Sequence, residues 1–385
     1  MNELSHFDQE LVNDAHIMVV GCGALGNEVL KNLALMGVRH LVLVDFDRVE
    51  PDNLSRSVLF SRNDAAAGRY KVEAAAERLK QLNPDIEVRV INGDIAYDVG
   101  LGLIRKMDVV IGCVDNRWAR YCINRLCMRA GVPWVDGGID GLEGTARVFR
   151  PGENCYACNL GPEGLKDLSH RMSCSGTIRR NVEAGKAPTT SIIASIIGAV
   201  EVQEALKLVQ ELKGSRAQDS GLTSLCGKMF YYEGQHLTTK LLEFKAWDDD
   251  CPVHELWEPV RQSALMPQTP VAAALQELRD TLQASEVSFC LGDDCFVDLV
   301  VRRDNDSRRE VMKPGRAVAS FVEQDTELRG LPLSGFYQHE WREIDRTFPY
   351  QQLTLSELGI PSEAVLQVHT EGGEFYVVMG KGLRV

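Results

Sequence analysis

Gly21-Cys22-Gly23-Ala24-Leu25-Gly26 sets three glycines at G-x-G-x-x-G spacing, after the apolar run Ile17–Val20 and before a helical pattern that reaches Met36. That order is the phosphate-binding turn of a βαβ unit. It gives a tight turn, close approach of backbone to phosphate, and a helix N-terminus aimed at the anion. Asp45 closes the next apolar run, Leu41–Val44, about 20 residues on, where a carboxylate binds ribose hydroxyls. These residues alone say nucleotide or dinucleotide. A dehydrogenase needs only the helix end for its pyrophosphate. Attack on the α-phosphate of ATP also needs Arg and Lys fixed nearby. Arg56 and Lys71 follow, with Asn53 in the same stretch as Arg56. A Mg2+-bound triphosphate further needs a carboxylate, and Asp115 in GCVDNRWAR stands just past a strand end.

The eleven cysteines divide by spacing. Cys155-x-x-Cys158 does not open a helix in a thioredoxin-like unit, so a redox pair is the weaker reading. As half of a tetrahedral Zn2+ site it needs two more ligands, and Cys251-x-x-His254 offers them, with Cys226 as an alternative. Four protein ligands leave no open position, which makes such a site structural. Cys174 stands alone, flanked by Arg171, Arg179 and Arg180, whose charge favours thiolate. Cys22, Cys113, Cys122, Cys127, Cys226, Cys290 and Cys295 fall mainly in apolar runs and read as small core residues.

The elements that must position these groups alternate. Strand patterns at Ile17–Val20, Leu41–Val44, IEVRVIN, DVVIGCV and VPWVDGGI are separated by helical ones, which predicts an α/β fold with a parallel sheet and crossover helices. The pattern breaks at Pro151. From there to Pro188 the chain is polar and irregular, too long for an ordinary connection. A helix resumes over 189–212, with Thr189, Thr190 and Ser191 as candidate caps, and KMFYYEG and LTTKLLEF read as a hairpin. Past Pro259 the texture changes to short strands, many charges and one helix. The expected domains are 1–254, with the loop 153–188 inserted, and 262–385. A net charge of −13 argues against nucleic acid as a partner. The acidic start has no signal-peptide pattern, and the longest apolar stretch, 191–209, carries Glu201, Glu204 and Lys207, so no membrane segment is expected. The expected setting is a reducing cytoplasm.

VVGCGALGNEVLKNLALMGVRHLVLVDFD, NLSR, GRYKVEAAAERLKQLNP and VIGCVDN together resemble the adenylation domain shared by ubiquitin-activating enzymes and the bacterial adenylyltransferases that activate sulfur-carrier proteins, over roughly residues 15–254. The resemblance implies a Rossmann-like doubly wound domain in which Gly21, Gly23 and Gly26 line ATP and Asp45 holds ribose. Asn53, Arg56 and Lys71 bind phosphates, Asp47 joins the nucleotide-binding set, and Asp115 holds Mg2+. Family members often carry Cys-x-x-Cys where this chain has Cys251-x-x-His254. Cys174-Ser175-Gly176-Thr177-Ile178-Arg179 is similar to the catalytic-cysteine site of ubiquitin-like activating enzymes, with one residue inserted. The chain departs from the family in lacking any arginine in residues 1–38. Another arginine substitutes, or another subunit supplies it. The C-terminal stretch around TLSELGI resembles the β-grasp ubiquitin-fold domain that recruits conjugating enzymes, and no rhodanese-type cysteine loop follows residue 260.

The resemblance therefore implies an enzyme that adenylates the C-terminal glycine tail of a small ubiquitin-like protein, forms a thioester on Cys174 and passes it to a conjugating enzyme. A homodimer or heterodimer is implied, in a bacterial ubiquitination-like system such as one in antiviral defence. The alternative is activation of a sulfur carrier for cofactor synthesis or tRNA thiolation.

Overall fold

The computed structural model describes residues 7–161, 163–164, 189–214, 222–244, 247–302, 308–324 and 336–380. They form two compact units. One holds the described residues up to Ala96 and those from Ile104 to Leu256. The other holds Tyr97–Leu103 and those from Trp257 onward.

The first unit runs α1 (Gln9–Asn13), β1 (His16–Val20), α2 (Ala24–Met36), β2 (His40–Val44), α3 (Arg62–Ala67), α4 (Lys71–Leu82) and β3 (Glu87–Ile91). After the short α5 (Leu101–Ile104), all but the last residue of which belongs to the second unit, come β4 (Val109–Gly112), α6 (Arg117–Ala130), β5 (Trp134–Asp140), β6 (Glu143–Phe149), α7 (Ser191–Lys213), β7 (Lys228–Glu233) and β8 (Thr238–Glu243). The strands make one sheet in the order β3-β2-β1-β4-β5-β6-β7-β8. The first five pair parallel and the rest antiparallel. β1, β2 and β4 are apolar along nearly their whole length and buried, as strands covered on both faces require. Their side chains share one core with α2, α4 and α7.

Local chemistry sets the helix ends. Asn116 caps α6 by accepting from the Ala119 amide at 2.8 Å, and Thr190 caps α7 by accepting from Ile193 at 3.3 Å. Gly37 and Gly131 end α2 and α6 in the left-handed region. The region read as irregular after Pro151 begins differently from that reading, because residues 156–161 are helical. Asn159 fixes that turn by donating to the Cys155 carbonyl at 2.8 Å. Its sequence has no apolar period, so tertiary contacts rather than amphipathicity hold it.

The second unit runs β9 (Val260–Gln262), α8 (Val271–Leu282), β10 (Val287–Cys290), β11 (Phe296–Arg302), β12 (Arg308–Pro314), α9 (Gly315–Gln324), β13 (Phe336–Trp341), β14 (Glu343–Ile344), β15 (Val365–Thr370) and β16 (Gly373–Val378). A five-stranded sheet, β14-β10-β15-β16-β9, shares its core with α8. A second sheet, β12-β11-β13, packs with α9. The segment Tyr97–Leu103 is held within this unit. The Gly102 amide donates to the Glu363 carbonyl at 2.8 Å, and Arg316 reaches Asp98 at 3.3 Å. A Cβ on Gly100 would lie 2.3 Å from the Ser362 carbonyl oxygen, so only glycine fits this approach. Among the described residues, no helix is long and apolar enough to cross a membrane.

Candidate nucleotide site and metal cluster

The strand order reverses direction between β1 and β4, and ligands of open α/β sheets bind outside the carboxyl ends of strands at such a point. The glycine turn lies there. Gly21 has φ +93°, and a Cβ on it would meet the Cys113 carbonyl oxygen at 2.4 Å. A Cβ on Gly26 would meet the Gly21 carbonyl at 2.0 Å. These two glycines let the turn close on itself and on the end of β4. Gly23 differs: a Cβ there would meet nothing within 4 Å. It is the N-cap of α2, and no side chain caps that end, so the helix presents an open, positively polarised terminus.

The surrounding residues hold this cradle. Buried Asn27 donates to the carbonyls of Cys22 and Gly23 at 2.8 and 3.0 Å and accepts from the Leu59 amide at 2.8 Å. The Asp45 carboxylate accepts from the Cys22 amide at 2.6 Å and the Asp47 amide at 2.7 Å. Lys71, at the start of α4 and buried, donates to Asp47 at 2.7 Å. Burial pushes the Asp45 carboxyl up, against the pull of Lys71 and the two amides. Burial also works against the Lys71 charge, but Asp45 and Asp47 outweigh it and raise the ammonium above its ordinary value, so Lys71 stays cationic.

Gly21 and Gly26 thus touch each other, and Asp45, Asp47 and Lys71 form a chain of contacts that reaches the same turn at the Cys22 amide. Asn53 is buried, and its side chain accepts from the Glu50 amide at 2.9 Å, closing the 3-10 turn Pro51–Ser55 that ends at Arg56. Arg56 donates to the Asp52 carbonyl at 2.8 Å. Asp115 is exposed, three residues beyond β4, and accepts from the Asn116 side chain at 3.3 Å. Cys174 and its flanking arginines lie outside the described residues.

A buried ionic cluster behind Asp115 escaped the sequence reading. Arg120 donates to Asp136 at 2.8 Å and to the carbonyls of Val114 and Gly137 at 2.7 and 2.9 Å. Arg147 binds the other Asp136 oxygen. Arg120 therefore ties the backbone just before Asp115 to β5. Glu201 of α7 packs onto Gly137, where a Cβ would lie 2.4 Å from its carboxyl carbon. Both Glu201 oxygens are buried without a hydrogen-bond partner. Burial, then Asp136, pushes this carboxyl well above its ordinary range, against Arg120. The only sequence signal was a glutamate within an apolar helix.

Cys155, Cys158, Cys251 and His254 converge, with their ligand atoms all within 4.8 Å of one another. Cys158 Sγ is 3.2 Å from His254 Nε2, near the roughly 3.5 Å at which a sulfur and a nitrogen sit around one Zn2+. Asn124 donates to Cys155 Sγ at 3.1 Å, an outer contact typical of a metal thiolate. Three sulfurs and an imidazole suit Zn2+. Cys155 does precede a helical turn, but its partners are Cys251 and His254 rather than a redox disulfide. Cys226 is not one of the group: its thiol donates to Glu153 and Asn154 at 3.0 and 3.3 Å. Cys22, Cys122 and Cys127 are buried, as read, and Cys113, Cys226 and Cys295 are partly buried against the cores, whereas Cys290 is partly buried and not among the core residues.

A switch-point glycine cradle, an oriented carboxylate pair and a buried charged lysine define a nucleotide-binding α/β domain, here with a cysteine–histidine cluster. The chain belongs to the ThiF family, whose model matches residues 1–253. It is 30% identical over 253 residues to the SAMP-activating enzyme E1 of Haloferax volcanii, covering 66% of this chain and 85% of that protein. It is 36% identical over 204 residues to the molybdopterin-synthase adenylyltransferase of Salmonella typhimurium, covering 52% of this chain and 75% of that one. The fold resembles that of E. coli MccB in its crystal structure with succinimide, with a TM-score of 0.50 and 22% identity over 64% of this chain and 68% of that one.

Proposed function

We infer that this chain uses ATP to adenylate the C-terminal carboxylate of a small protein of the ubiquitin-like or sulfur-carrier type. The observation that carries the reading is the open cradle at Gly23, floored by Gly21 and Gly26 and flanked by Asp45 and the buried cationic Lys71. The names of the relatives, an activator of SAMP and an adenylyltransferase for molybdopterin synthase, point to the substrate class. The carrier carboxylate attacks the α-phosphate, an acyl adenylate forms and pyrophosphate leaves. In this reading Asp45 accepts from the ribose hydroxyls. The N-terminus of α2, Lys71 and Arg56 offset the charge that develops on the phosphates. Asp47 holds Lys71, and Asn53 holds the turn that presents Arg56. Asp115 would hold Mg2+, which when bound shields the triphosphate. Zn2+ on Cys155, Cys158, Cys251 and His254 is structural.

The finer reading is an activating enzyme in which the Cys174 thiolate displaces AMP to give a thioester that passes to a conjugating enzyme recruited by a β-grasp-like C-terminal domain. The sulfur-carrier reading, ending at the adenylate, fits the same relatives equally. Both expect a dimer in a cytoplasmic setting, in which either another arginine of this chain or a different partner subunit takes the place of the arginine missing from residues 1–38.

The test of the core reading is carrier-dependent exchange of labelled pyrophosphate into ATP. Its absence with every carrier tried, together with no shift in melting temperature on adding ATP, would falsify adenylation. The Cys174 step is read on a non-reducing gel. A thiol-sensitive carrier adduct that Cys174→Ala abolishes supports the thioester, and exchange without any such adduct leaves the sulfur-carrier reading.

A further inference from the structure

Cys290 does not lie in the core of the second unit. Along β10, Val287 and Phe289 face that core, while Ser288 and Cys290 point to the other side of the sheet. Cys290 pairs directly with Glu343 of β14, and Ser288 with His369 of β15. As a result Cys290 Sγ, a Glu343 carboxylate oxygen and a ring nitrogen of His369 all lie within 4.8 Å of one another.

We propose that Cys290, Glu343 and His369 form a second Zn2+ site, on the solvent-facing side of the five-stranded sheet and separate from the Cys3His cluster. Two observations beyond the convergence support it. The first is the histidine's orientation. Nδ1 is hydrogen-bonded to Glu343 Oε1 at 2.8 Å, so a small opening of this contact to roughly 3.3 Å would let both atoms share one Zn2+. Nε2 lies 3.4 Å from Glu374 on β16, the residue paired with His369 across the strands. A zinc-bound histidine commonly gives its second N–H to a carboxylate, which fixes the ring and its tautomer. The second is that both carboxylates are themselves held. Ser288 donates to Glu343, while Gln367 and Tyr376 donate to Glu374 at 2.6 and 2.5 Å. Two hydrogen-bonded carboxylates, one beside each nitrogen of a histidine and one of them beside a thiol, match a first ligand set with its outer support.

Thiolate, imidazole and carboxylate together favour zinc over calcium or magnesium, which prefer oxygen alone. The bound ion would cross-link β10, β14 and β15. It would matter most for β14, a two-residue edge strand held by a short ladder.

The test counts metal on the full chain, dialysed against zinc and then against metal-free buffer. Wild type is expected to keep two zinc ions per chain. Cys290→Ser and His369→Ala are each expected to keep one, with the melting transition otherwise intact. Glu374→Gln leaves all three donors in place and is expected to weaken the second ion's binding by about 10-fold or more. With Co2+ in place of zinc, the difference between wild type and Cys290→Ser should show a charge-transfer band from one cobalt–thiolate bond. Equal zinc counts in wild type and Cys290→Ser, whether one or two, overturn the site, as do superimposable cobalt spectra.

Discussion

Lys71 shows how one residue's chemistry depends on its neighbours. It is buried, yet the carboxylates of Asp45 and Asp47 keep it protonated. Its folded pKa is raised, so the stability it contributes is complete below the unfolded lysine value of about 10.4 and is lost only as pH climbs through the folded value. Lys71→Met is expected to lower pyrophosphate exchange about 100-fold, with no restoration between about pH 7 and pH 9, a range below any lysine titration here. Glu201 behaves in the opposite sense. Its folded carboxyl stays neutral where an unfolded glutamate, at about 4.3, ionises. Unfolding therefore releases a proton, and the native state loses stability as pH rises from the unfolded value toward the folded one. Glu201→Gln removes that loss. Its melting temperature should exceed wild type at about pH 8 and converge with it near about pH 4; a pH-independent difference would mean that packing against Gly137, not ionisation, governs the site.

At the scale of elements, the β1–α2 turn uses its glycines in two distinct ways. Gly26 makes room for the Gly21 carbonyl, so Gly26→Ala forces the start of α2 away from β1. A cost of about 1–3 kcal/mol is expected, seen as a lower melting temperature together with loss of ATP binding. Gly23 faces open space, so Gly23→Ala should melt with wild type while its methyl obstructs a phosphate at the helix end. Calorimetric melting and nucleotide titration on the two variants read this directly. If Gly23→Ala binds ATP normally, the phosphate does not sit on this turn. Arg120 belongs to the same scale, since α6 uses it to clamp the backbone before Asp115 onto β5.

At the scale of the molecule, Cys155 and Cys158 join Cys251 and His254 across 96 residues of sequence. A cross-link over that span removes much conformational freedom from the unfolded chain, and metal binding adds directly to folding stability. With Zn2+ on this cluster as proposed, its chelation is expected to lower the melting temperature by several degrees and to expose Cys251 to thiol reagents. Unchanged melting after verified zinc removal would show that the aromatic packing of Trp134, Phe149 and Tyr156 suffices alone.

The sequence by itself determined what is local. The glycine spacing, the βα alternation, the cap at Thr190, and the Cys155-x-x-Cys158 and Cys251-x-x-His254 pairs each follow from turn sterics, periodicity or side-chain chemistry over a few residues. Asp45 was legible for the same reason, since it stands about 20 residues beyond a recognisable turn, whereas Lys71 was legible as a cation an ATP site needs nearby and through the resemblance carried by GRYK. Tertiary structure decided what depends on register and burial. The Asp136–Arg120–Arg147 cluster and Glu201 come from elements far apart in the chain, and nothing in their local sequence marks them. Residues 97–103 pack within the second unit through contacts with residues far off in sequence, among them Ser362, Glu363 and Arg316. Cys290 read as a core residue because it ends an apolar run. The two-residue pleat of β10, set by pairing with β14 and β15, turned it outward to Glu343 and His369.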